Sequence, residues 1–254
     1  MGLRRVPLPV YLGLGLALLL GAGTPVAAQI PDEFTNLKIL PKEIGKRELV
    51  SVMRQFSNDL GVRCNHCHVG ESPDSLKGYD FASDAPEPKR VARAMMEMSA
   101  LINREGMPTT GRKDVMKVQC VTCHRGLARP ITINALMLDT IAKDGVPAAE
   151  KRYRELRAQY YGRGAYNFGP GALNSIAEAL SQEMGDVAGA ISIMKMNVEL
   201  NPEDVTSHLM LGRLYAASGD KASAVAEFER ALELEPDNPW AKQMLEEVKS
   251  ADQP

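Results

Sequence analysis

The sequence predicts an all-α chain in two parts, a small helical domain organised around two Cys-x-x-Cys-His segments and a short domain of helical repeats. Two patterns carry that expectation. Apolar residues recur at three- and four-residue intervals ahead of each cysteine pair, and the last third of the chain repeats itself with a period of 34 residues. A hydrophobic fraction of 44% with 24% charged residues is ordinary for a soluble protein, and 254 residues suffice for one large domain or two modest ones. The formal charge of −2 gives no reason to expect nucleic acid or an anionic membrane surface as a partner.

Residues 1–28 read as an export signal. Arg4 and Arg5 make a basic start, Tyr11 to Leu20 is apolar, and Val26-Ala27-Ala28 offers small residues to a signal peptidase ahead of Gln29. The apolar stretch falls short of the roughly 20 residues that a membrane span needs, which favours cleavage over an uncleaved anchor. No cysteine stands near the cut, so a lipid-modified N-terminus is excluded. Cleavage removes two arginines and leaves 28 basic against 32 acidic residues, or −4. The mature chain is expected in the periplasm, and membrane-associated if the segment is retained.

After an extended, Pro-containing start over 29–41, Leu49, Val52, Met53, Phe56 and Leu60 recur at helical spacing, and Gly61 stands where a C-terminal cap belongs. Cys64-Asn65-His66-Cys67-His68 follows at once. Residues 70–88 are polar, acidic and broken by prolines, which predicts a loop. Val91, Met95, Met98 and Ile102 then make a second stripe, from about Pro88 to Asn103, ahead of Cys120-Val121-Thr122-Cys123-His124.

Both cysteine segments fit the attachment site of a c-type haem. Two thiols three positions apart on one helical turn reach both vinyl groups of one macrocycle, and the adjacent histidine, His68 or His124, faces the iron. Four cysteines in an exported chain could instead form two disulfides, but these would close tiny loops and leave both histidines without a purpose. A four-thiolate zinc ribbon has the same paired spacing, yet it calls for neither histidine and is mostly intracellular. Two covalently attached haems, on Cys64 with Cys67 and on Cys120 with Cys123, account for both cysteines and the following histidine of each segment.

Each iron needs a sixth ligand or an open position. The chain has four histidines: two are proximal, His66 lies inside the first segment, and His208 is remote in sequence. Thirteen methionines make Met the better supplied ligand. Met53 lies in the first stripe and Met95 and Met98 in the second, while Met107 and Met116 fall in or near the loop that follows. Core packing is the commoner fate of any one of them.

The strings Leu60-Gly61-Val62-Arg63-Cys64, Asp80-Phe81-Ala82-Ser83-Asp84, Met98-Ser99-x-x-Ile102-Asn103 and Val121-Thr122-Cys123-His124-Arg125-Gly126 resemble the cytochrome c subunit family of photosynthetic reaction centres. The resemblance covers roughly Leu37 to Pro130. It implies that Met53 and Met98, each on a helix ahead of its motif, are the sixth ligands. It also implies electron donation to a photooxidised special pair. Photosynthetic members carry four haems and this chain has two motifs, so it looks like half of that unit on a separate protein. A relay in another periplasmic chain fits equally well.

Residues 131–147, with Gly145 and Pro147, read as a linker, and residues 148–161 as a helix with Tyr153, Leu156 and Tyr160 on one face. Further on, Gly185-Asp186 recurs as Gly219-Asp220, Ala190 as Ala224, and Leu200-x-Pro202 as Leu234-x-Pro236. This is the period of tetratricopeptide helix pairs, and Leu211, Gly212, Tyr215, Ala224, Phe228, Ala231 and Pro236 occupy its signature positions. The first unit lacks the Gly and Tyr, and Trp240 to Lys249 would cap the stack. The expected organisation is thus a signal over 1–28, a dihaem cytochrome c domain over 29–130, a linker over 131–147 and a tetratricopeptide-like domain over 148–254.

Three functions follow. A dihaem electron carrier, saturated at both irons, would pass electrons between a redox donor and an acceptor, one of them possible as a membrane-bound complex. A haem-containing repeat scaffold or sensor would bind a protein partner on its concave surface. A dihaem peroxidase-like enzyme would keep one iron open, and the sequence offers no obvious histidine for its acid–base chemistry.

Overall fold

The computed structural model describes residues 30–70, 72 and 75–250, so the export signal lies outside the described residues. Among them the regular structure is helical, with one isolated antiparallel bridge between Val69 and Asp80.

Helix α1 spans Lys46–Leu60 and ends where the glycine signal places it. Gly61 takes the left-handed conformation at φ 65°, and the Val62 N–H closes the last turn onto the Ser57 carbonyl at 3.0 Å. Helix α2 spans Glu87–Leu101, with Pro88 in its first turn, where a missing N–H costs nothing. It runs out through a π turn, Ile102–Gly106, and a 3₁₀ turn, Met107–Thr110. Helix α3 is the second cysteine segment itself, Cys120–His124.

The segment expected to be a linker is instead a helix. Helix α4 spans Ile133–Asp144, and the Thr132 hydroxyl caps it by accepting the Ala135 N–H at 3.2 Å. Ile133, Met137 and Ile141 recur every fourth residue and are buried, so the helical domain begins here rather than at 148. Helix α5, Val146–Tyr160, follows after Gly145 at φ 84°. Helices α6 (Pro170–Glu178), α7 (Val187–Leu200), α8 (Val205–Ser218), α9 (Lys221–Leu234) and α10 (Pro239–Ser250) complete the stack. Successive helices pack on one another, and α4 and α5 lie against α6 and α7. Asp186, Asp204 and Asp220 cap α7, α8 and α9 by the same bond to the third residue on. The repeated Gly-Asp thus punctuates the helices.

The core belongs almost wholly to this second part. Among the described residues 23 hydrophobic side chains are buried, and of these only Leu49 and Leu127 precede Ile133. Tyr153, Leu173, Ile176, Ile193, Met194 and Leu211 form its centre. Ala190 and Ala224, equivalent in the two repeats, are fully buried, where small side chains let helices approach. His208 is packed rather than presented, with Nδ1 2.7 Å from the Glu227 carboxylate and Nε2 3.1 Å from the Pro202 carbonyl. Among the described residues no helix is long and apolar enough to cross a membrane.

Gly212 shows how tightly the second repeat closes. A Cβ there would lie 2.5 Å from the Phe228 ring. Gly212→Ala gains about 1 kcal/mol of helix propensity but overpacks the α8–α9 contact by about 1–3 kcal/mol. A lowered midpoint in thermal unfolding is the expected result.

Candidate functional site

The two cysteine segments meet at a pair of glycines. The Gly126 N–H donates to the Asp59 carbonyl at 2.8 Å, joining the last turn of α1 to the residue two after His124. A Cβ on Gly61 would sit 2.1 Å from the Gly126 carbonyl oxygen, so only glycine allows this approach. Gly61 lies three residues before Cys64 and Gly126 three after Cys123, so this one contact ties the chain entering the first motif to the chain leaving the second.

His124 is oriented from behind. Arg125 at φ 51° and Gly126 at φ 82° are both left-handed and reverse the chain, which brings the Leu127 carbonyl to His124 Nδ1 at 2.7 Å. A carbonyl can only accept, so Nδ1 carries the proton and Nε2 keeps its lone pair for a metal. Gln119 and Thr122 make a reciprocal cap at the start of α3, and the Asn103 amide pairs with both backbone groups of Val118, at 2.7 and 2.8 Å. The end of α2 is thereby pinned two residues before Cys120.

His68 is held by aromatic contact. Its ring meets Phe81 edge-on at 5.1 Å, and Phe81 lies 5.4 Å from Tyr79. Burial, then the nearby Lys89, pushes the His68 imidazole below its usual range, against an opposing pull from the Phe81 carbonyl. It is therefore a neutral base at pH 7. Among the described residues its buried Nδ1 makes no hydrogen bond of good geometry.

The Phe81 segment is fixed by charge. Lys89 donates to the carbonyls of Phe81 at 2.9 Å and Ser83 at 2.7 Å. Asp84 gathers Lys38 at 2.6 Å, Arg93 at 2.7 Å and the Asn36 amide at 2.8 Å, and Asn36 also bonds the Ala82 carbonyl. Lys38 first, then Arg93 and Asn36, holds the Asp84 carboxyl well below the usual carboxylate range.

None of the four cysteines is paired in a disulfide, and three are half-buried. Burial raises Cys67, with Cys64 adding to it, and burial raises Cys120, with Asp59 adding to it. Neither is an activated thiolate of the kind that thiol enzymes use. Among the described residues no three His, Cys, Asp or Glu side chains gather to hold one metal ion, so the pairs do not converge as in a zinc ribbon.

The surroundings are apolar and uncovered. Val91, Met95, Met98 and Leu101 on α2, with Val69, Met116 and Val121, are exposed. Met98 is 48% exposed and Met53 half-buried on α1, so neither is spent in a core. The donor set fits a c-type haem at each motif: two thiols one turn apart, a histidine with an available nitrogen, and bare apolar helix faces. The pinning contacts of Asp59, Asp84, Asn103 and Leu127 were not predicted from the sequence. Their partners are backbone atoms or distant residues, and no local pattern announces them.

Residues 205–238 match the tetratricopeptide repeat family, so α8, α9 and the turn after them form such a repeat. No curated protein matches the chain. Among solved structures, the first repeat domain of Spaghetti (RPAP3) bound to an HSP90 peptide is 22% identical, over 47% of this chain and 89% of that one, at a TM-score of 0.33. The Sgt2 repeat domain of Aspergillus fumigatus is 18% identical, over 47% and 76%, at 0.33. The Yersinia enterocolitica secretion chaperone SycD, with a peptide of the translocator YopD, is 16% identical, over 48% and 92%, at 0.33.

Two variants test this frame. Gly61→Ala meets both the left-handed strain and the Gly126 carbonyl, whereas Gly78→Ala meets strain at φ 75° in open space. Thermal unfolding should show Gly61→Ala the costlier, by about 1–3 kcal/mol. Asp84→Asn should speed tryptic cleavage after Lys38 at neutral pH. Because the folded carboxyl titrates below its ordinary 3.8, its contribution is complete above that value and lost as pH falls below it. Below that pH, acid should lower the thermal-unfolding midpoint of the parent chain more than that of the variant.

Proposed function

We propose that this protein is an exported dihaem c-type cytochrome that carries electrons between redox partners in the periplasm, and that its helical repeats dock it on a protein partner. One observation carries the reading. Two Cys-x-x-Cys-His segments lie in about 100 residues whose helices leave their apolar faces uncovered.

Cys64 with Cys67, and Cys120 with Cys123, would attach the two macrocycles, and His68 and His124 would ligate the irons from the proximal side. When bound, each haem supplies a one-electron iron centre. His124 is kept in the required tautomer by Leu127. His68 is kept neutral by burial and oriented by Phe81. Met53 and Met98 would supply the opposite ligands, the placement implied by resemblance to the reaction centre cytochrome c subunit. Both irons would then be saturated, which favours electron transfer over peroxidase chemistry.

The repeat match favours a second reading, in which partner binding is the main task and the haems are structural or sensory. Repeat stacks present extended surfaces suited to protein partners, and the buried core lies in this part. Reversible oxidation and reduction of both haems by partner proteins, at rates matched to turnover, separates a carrier from a scaffold.

Protein matured with the c-type haem machinery should gain the mass of two haems and show low-spin bands in both redox states. Replacing Cys64 and Cys67 together by Ala should remove one haem and spare the other. Met53→His or Met98→His should lower one potential by on the order of 100 mV, within the roughly 0.8 V that axial ligation spans. An unchanged potential would strike that methionine from the ligand set.

A further inference from the structure

A cleft of about 460 Å³ lies between the segment leaving the second motif and the helical domain, within the range of small-molecule sites. Leu127, Ile131 and Leu136 give it aliphatic walls, and Arg129, Arg152 and Tyr166 line it with donors. Asp139 and Lys143, also at the cleft, neutralise one another through an ion pair of 2.8 Å. Among the described residues no carboxylate pairs with Arg129 or Arg152, so the cleft carries two uncompensated positive charges. Arg152 lies close enough to Tyr166 to oppose the upward push of burial on its phenol. Guanidinium groups, a phenol and aliphatic walls together recognise a carboxylate with a short hydrocarbon chain.

Leu127 ties this cleft to the second motif. The residue that walls it also offers the carbonyl that holds His124 Nδ1 at 2.7 Å. A negative charge placed here lies behind the proximal histidine and neutralises two nearby cations. Both effects favour the more positive, oxidised state of a metal on that histidine.

We propose that the cleft binds an aliphatic carboxylate, and that the bound carboxylate lowers the redox potential of the centre held by His124. The redox half rests on the dihaem reading above; the binding half does not. The carboxylate is either a free short-chain acid or a propionate of the haem on Cys120 and Cys123.

The probe is hexanoate, titrated into the holoprotein and followed by calorimetry and by optical redox titration, with haem content fixed beforehand by intact mass. A free acid as occupant gives saturable binding, a downward shift of one potential only, and affinity about tenfold weaker or worse in Arg152→Gln. A propionate as occupant gives no hexanoate binding. In its place the redox-difference infrared spectrum shows a carboxylate stretch that moves in Arg152→Gln. Arg129→Gln repeats either result should the first variant fail to fold. Absence of both the binding and the stretch overturns the proposal, and so does a hexanoate shift of both potentials that persists in the variants. A mass without haem sinks the dihaem reading instead, and hexanoate binding by calorimetry then decides the cleft alone.

Discussion

About 100 residues of helical protein ordinarily close a core of their own, but among the described residues of 30–130 only Leu49 and Leu127 are buried hydrophobic side chains. The helices of this half are held by directional polar contacts instead: Asp84 with Lys38 and Arg93, Asn103 with Val118, and the Asp59 carbonyl with Gly126. Each such bond adds only about 0.5–1.5 kcal/mol net, so this frame is weak by itself. Burying apolar surface at about 25 cal/mol per Å² would outweigh all of them together. If the proposed haems are attached, burial of two flat apolar groups would complete the fold of this half, in the way metal binding completes other small domains. The polar contacts set where the motifs stand, and apolar burial would decide how firmly.

The second half depends on no such addition. Its helices interdigitate around Tyr153, Ile176 and Met194, and a polar cluster inside it is satisfied. The Asn197 amide reaches the Pro170 carbonyl, Asn174 and Ser207 at 3.0, 2.6 and 2.9 Å. A satisfied buried network of this kind fixes the register of α6, α7 and α8 rather than merely cementing them. The paired bonds of Arg154 with Glu199, at 2.8 and 2.6 Å, do the same for α5 and α7 from outside. The repeat part is thus a rigid platform, and α4 and α5 supply the layer that two repeats alone would lack.

Helix limits and repeats were legible because their signals are local. Gly61 ends α1, Pro88 opens α2, and the Gly-Asp pairs cap α7 and α9, the equivalent helices of the two repeats. Residues 131–147 were misread for the same reason. Pro130, Gly145 and Pro147 punctuate the segment like a linker, yet Ile133, Met137 and Ile141 recur at four-residue intervals and pack into the core. The punctuation marked the two ends of a helix of 12 residues. The chemistry-bearing residues were legible because attachment demands adjacent positions. The residues that orient them were not, since Asn36 finds Asp84 across 48 positions and Lys38 finds it across 46. Through-space partners leave no period in a sequence.

The two histidines are consequently supported in different ways. His68 rests on Phe81 and Tyr79, a loop held by charges of which Lys38 is exposed and Asp84, Lys89 and Arg93 are half-buried. Screening by salt and loss of charge in acid both loosen such a support. His124 is braced by the backbone of Leu127, which is buried and leads within six residues into Ile133 of the helical core. The connecting residues 128–132 are mostly exposed, so it is the two buried ends, Leu127 and Ile133, that join His124 to the helical core. The second motif is therefore the one closest in sequence to the helical core, although its Cys123 is the exposed cysteine of the four.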